Sequence, residues 1–144
     1  MANLYSAHAL VGLTGSAGAT FEAYITAPST GYLSLESLIF SGDFSSATDD
    51  PVLVELLRVT GQTGGTAIVP SKHNTEVSLA SGATVHMDSV TAVAVADSTV
   101  FSQYVRPSFS FTPGVTVAPG ETWAVRMTPG AQTRNMNIGL FWKE

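Results

Sequence analysis

Hydrophobic and polar positions alternate in short runs along this chain, and clusters of glycine, proline and serine separate the runs. In "FEAYITAP" the pattern puts Phe21, Ala23 and Ile25 on one side and Glu22, Tyr24 and Thr26 on the other. "GYLSLESLIF" continues in kind, with Leu33, Leu35 and Ile39 set against Ser34 and Glu36. A period of two is the signature of half-buried strands. "VTAVAVA" and "TVFSQYV" are β-branched runs of strand length, with Asp97-Ser98 between them as the expected turn. Pro119-Gly120 punctuates "VTVAPGETWAVRM", and "NMNIGLFWKE" carries Ile138, Leu140 and Trp142 in one register. Helical spacing is scarce. "DDPVLVELLRVTG" offers the one alternative, a helix capped by Asp50 with Pro51 at its first position, but Val52, Val54 and Val59 favour a strand.

These runs predict an all-β protein, an antiparallel β-sandwich of eight or nine strands spanning residues 1–144 as a single domain. The longest loops are expected over residues 41–50 and 71–89. At 144 residues and 15.0 kDa the chain is long enough for one substantial core.

Charge changes the picture. Charged residues make up only 12% of the chain, about half the usual share, so serine, threonine, glycine and alanine must cover much of the surface. Such depletion also marks the centres of protein interfaces and points to an assembled protein. The net charge is −5 and neither lysine nor arginine precedes Arg58, which leaves no basic stripe for a phosphate backbone, so no nucleic acid is expected as a partner. "MANLYSAHALVGLTG" lacks the positive start and unbroken apolar stretch of a secretory signal, and no run approaches a membrane helix, so no membrane partner is expected. With no cysteine, disulfides and thiolate metal sites are excluded, which is compatible with assembly in a reducing cytoplasm.

Candidate chemistry is thin. The loop in "RVTGQTGGTAIVPSKHNT", residues 58–75, fails as a phosphate cradle, because Gly65 is followed by Thr66 and Ala67 where a Walker loop needs Lys-Ser or Lys-Thr and a helix. Its glycines read instead as a turn or contact loop, with Gly61, Gly64, Gly65, Lys72, His73 and Asn74 as the candidate contact residues. His86 and Asp88 share one side of a strand and could hold a metal with His73, but without motif spacing the three histidines read as surface or structural, and no metal or cofactor is expected. Asp43, Asp49 and Asp50 lack the alternation of a calcium loop. "TGSAG" around Ser16 lacks the first glycine of a nucleophile elbow. No spacing pairs Glu22, Glu36, Glu55, Glu76 or Glu121 as glycosidase carboxylates, and an enzyme is not expected. Trp123, Trp142 and Tyr104 sit in strand-like runs and are expected to pack in the core, with a sugar-binding platform as the alternative.

The loop itself carries a resemblance. A strand, a threonine and glycine loop, "GGTAIVP" at 64–70 and the polar "SKHN" resemble a pattern of small β-rich virion proteins of tailed bacteriophages. "VTVAPGETWAVRMTPGAQTRNMNIGLFWKE" is similar to the closing segment of such proteins through Pro119, Gly120, Trp123, Arg126, Trp142 and Glu144. The resemblance covers residues 52–75 and 115–144, whereas Lys72, His73 and Asn74 stand where those proteins often read asparagine and arginine. It implies a β-sandwich, with the jelly roll among its forms, that decorates or cements a capsid. The implied partner is the major capsid protein, the implied state a homotrimer, and the implied location the virion's capsid exterior after assembly in the host cytoplasm. A tail- or fibre-associated or lectin-like module binding cell-surface glycan is the alternative.

Overall fold

The computed structural model describes residues 3–13, 20–42, 51–73, 79–90, 95–106, 108–130 and 134–144. Those residues form twelve strands: β1 (Leu4–Leu13), β2 (Phe21–Thr26), β3 (Leu33–Gly42), β4 (Val52–Thr60), β5 (Gly64–Ile68), β6 (Ser71–Lys72), β7 (Thr84–Val90), β8 (Val95–Val105), β9 (Phe109–Phe111), β10 (Val115–Val117), β11 (Thr122–Thr128) and β12 (Arg134–Lys143). One sheet runs β10-β3-β12-β1-β6, with β9 also on β3, and the other runs β5-β7-β2-β11-β4-β8. All pairings are antiparallel. The two sheets pack face to face as the predicted β-sandwich.

The alternation explains the core. Phe21, Ala23 and Ile25 of β2 point inward with Val125 and Met127 of β11, and they meet Leu38, Phe40, Ile138, Leu140 and Trp142 from the opposite sheet. Residues 52–60 are strand, as the β-branched valines demand. Pro119-Gly120 closes a type II turn: the Glu121 N–H donates to the Ala118 carbonyl at 2.9 Å and Gly120 adopts φ +73°. With β5, β6 and β7 set aside and β9 and β10 counted as one position, the orders become 1-8-3-6 and 2-7-4-5, the double Greek key of a jelly roll. β5 and β7 then extend one sheet, and β6 extends the other.

Three local expectations are corrected. Residues 71–89 are not one loop, because Ser71–Lys72 pairs with β1 and Thr84–Val90 forms β7, where Val85 and Met87 point into the core. Asp97-Ser98 is not a turn. β8 runs through it, and shifts in its register with β4 between Leu56 and Leu57 and between Arg58 and Val59 absorb Val100 and Asp97 as bulges. Ile39 does not share a face with Leu33 and Leu35: the pairing slips between Phe141 and Trp142, Glu36 becomes the extra residue, and Leu38 and Phe40 turn inward in its place. Of residues 41–50, expected as a loop, Ser41 and Gly42 belong to β3 and residues 43–50 lie outside the described residues.

Candidate interaction face

The two outer faces of the sandwich differ in what they expose. On the β2-β11-β4 face the rows read Glu22-Arg126-Glu55, Tyr24-Ala124-Leu57 and Thr26-Thr122-Val59. Its first row is charged, and Arg126 Nε donates to Glu22 Oε1 at 2.7 Å with Glu22 only 1% exposed. Its apolar members, Tyr24, Leu57, Val59 and Ala124, are buried as a second small cluster. Tyr24 donates to the Gly64 carbonyl at 3.0 Å and stacks on His86 at 4.7 Å, and burial pushes its phenol up.

The β3-β12-β1 face is the reverse. Leu10 is 69% exposed and Ile39 is 39% exposed. Leu4, Ile39 and Phe141 line a shallow depression of about 280 Å³, closed at one side by Lys143 and Glu36. Lys143 donates to Glu36 at 3.3 Å, and the Ser34 hydroxyl followed by that ammonium holds the Glu36 carboxyl below the usual carboxylate range. Among the described side chains of β1, β3 and β12 this pair carries all the charge. Serine, asparagine, His8 and Gly139 fill most of the rest. Such a flat surface, apolar at its middle and nearly uncharged, matches the composition of an interface centre.

Two of the histidines meet on this same face. His8 Nε2 lies 3.2 Å and His73 Nε2 lies 2.7 Å from the Ser6 hydroxyl oxygen. A serine and a histidine at that spacing have the reach of a nucleophile and its base, but Ser6 is 1% exposed, which closes it to a substrate. His86 stands apart, across the sandwich on Tyr24, so the structure does not join His73 to His86. The side chain of Asp88 lies outside the described residues, and among those described no group of three His, Asp or Glu converges.

The proposed contact residues separate into two places. Gly61 stands in the β4–β5 turn and Gly64 and Gly65 open β5, with φ of +73°, +83° and +81°, so the glycines supply a backbone that other residues adopt only with strain. Lys72 pairs with Tyr5 in β6, His73 donates its N–H to the Leu4 carbonyl at 2.9 Å, and Asn74 lies outside the described residues. Both tryptophans are buried as expected, Trp142 fully and Trp123 at 8% exposure. Tyr104 is not, since it points out from the edge strand β8. Sequence reading missed Leu10 and Ile39, whose exposure depends on which face of the sheet is covered.

Beside β5, β6 and β7, the side chains of Ile68, Val69, Pro70, Lys72, Leu79 and Ala83 line a groove of about 790 Å³. No protein-family model, no curated protein and no solved structure matches the chain.

Proposed function

We propose that this chain is a structural virion protein of the capsid decoration or cement type, which lays the β3-β12-β1 face on the major capsid protein and bridges adjacent capsomers. The carrying observation is the contrast between the two outer faces: across β2-β11-β4 the apolar residues are buried beside the Glu22–Arg126 pair, whereas the other face displays Leu10, Ile39 and a shallow apolar depression. The resemblance of residues 52–75 and 115–144 to phage virion proteins supplies the partner. A rigid sandwich suits mechanical work at a seam, where stabilisation grows with the apolar area removed from water. Co-sedimentation with mature capsids of the source phage is the test. Saturable binding that raises the capsid's disruption temperature supports the reading, while no binding at saturating concentration overturns it. Exposed Tyr32 and Tyr104 favour glycan recognition as the second reading, and binding on a glycan array without capsid binding would select it.

A further inference from the structure

The convergence of His8 and His73 on one hydroxyl gives the exposed face a second property. From the geometry we infer that these two imidazoles form a binding site for a divalent first-row transition ion of the nickel or zinc kind. Both Nε2 atoms lie against one hydroxyl oxygen, 3.2 and 2.7 Å from Ser6 Oγ, so the two nitrogens stand side by side on this face. An ion bridging the two nitrogens on the solvent side of that hydroxyl needs each at about 2.0–2.1 Å, a displacement that side-chain torsions can supply. Neutral imidazole is a preferred donor for nickel, copper and zinc, whereas magnesium and calcium select oxygen.

The rings are held rather than free. The His73 backbone is fixed to Leu4, and its ring lies against Phe141 with centroids 5.9 Å apart. His8 meets the same Phe141 edge-on at 5.3 Å. Beneath it is Gly139, where a Cβ would come within 2.9 Å of His8 Nδ1, so the absent side chain is what lets the ring lie down toward Ser6. Both histidines are exposed and an ion can reach them from solvent. A tetrahedral ion held by two protein nitrogens keeps two positions for water.

The test is calorimetric titration of the tag-free chain with nickel chloride and zinc chloride, with magnesium chloride as control. One nickel or zinc ion per chain is expected, with no magnesium heat. His8→Ala and His73→Ala should each weaken binding by at least about tenfold, the lower end of what losing even an outer-shell partner costs. Gly139→Ala removes no donor yet should also weaken it, by displacing the His8 ring, while His86→Ala should leave it unchanged. Circular dichroism confirms that each variant is folded, and the imidazole C–H proton signals of His8 and His73 should shift or broaden on titration in the parent chain. Absence of saturation up to about 1 mM overturns the assignment, as does binding that survives either single histidine replacement.

Discussion

At the scale of single residues, Glu144 shows how one side chain ties three parts of the fold. Its carboxylate accepts from the Ser81 hydroxyl, from the Gly82 N–H at 2.8 Å, the Ala83 N–H at 3.2 Å and the Trp142 indole N–H at 2.9 Å. Its backbone N–H and C=O exchange bonds with Asn3. The segment before β7 is thereby clamped to the ends of β12 and β1, over the stacked Tyr5 and Trp142 rings. Burial pushes the Glu144 carboxyl up, but the four donors together outweigh it and hold the carboxyl below its ordinary value. Burial and that nearby negative charge push the Tyr5 phenol up. A depressed carboxyl stabilises the fold above the unfolded glutamate's value of about 4.3 and loses that contribution as pH falls through the folded value. Glu144→Gln should therefore cost about 1.5–3 kcal/mol at neutral pH, the range for hydrogen bonds to a charged group. Urea midpoints measured from pH 7 down to pH 3 should fall more steeply for the parent than for the variant, and parallel curves would contradict this account.

At the scale of elements, what could be read in advance was whatever depends on a period of two. Phe21, Ala23 and Ile25, or Ile138, Leu140 and Trp142, declare their face because a strand has only two. The misreadings fall where that period breaks. A bulge adds one residue and flips every later side chain, so Leu33 and Leu35 cannot announce that Leu38 replaces Ile39 in the core. Asp97-Ser98 has turn chemistry, but pairing with β4 outweighs local preference and spreads it into two bulges. The exposed face was hidden for a related reason: alternation separates inside from outside but does not say which outer surface is covered. Pairing also brings Glu22 and Arg126 together across β2 and β11, 104 positions apart in sequence. Arg126→Met leaves a nearly inaccessible carboxylate without this cation, and should destabilise by about 3–5 kcal/mol, the usual result of breaking a buried pair from one side. Adding Glu22→Gln should restore part of the loss. Chemical denaturation of both single variants and the double variant measures the coupling, and additive losses would show that the pair does not act as a unit.

At the scale of the molecule, the arrangement of edges and faces decides how this sandwich can meet a partner. A sparsely charged β protein risks pairing through its sheet edges. Here the edges are blunted in several ways: β6 has two residues and β10 has three, β5 has five, and the long β8 carries two bulges. Short or bulged edges are poor templates for strand addition, although β6 pairs β1 only at Tyr5 and Ser6, and the broad β3-β12-β1 face is the more suitable contact. Replacing Leu10 and Ile39 together by glutamate tests this directly. Leu10 is 69% exposed and Ile39 39%, so unfolding should change by no more than about 0.5 kcal/mol at the first and by about 1–2 kcal/mol at the second, the transfer cost of its buried part. On the proposed function, two carboxylates buried against a capsid should weaken co-sedimentation by at least about 2 kcal/mol, or roughly thirtyfold. Tyr104→Ala, on the edge strand of the other sheet, should leave capsid binding intact. If the glutamate pair binds as the parent does and Tyr104→Ala does not, the contact belongs to the β8 edge, and the contrast between the two outer faces no longer supports the assignment.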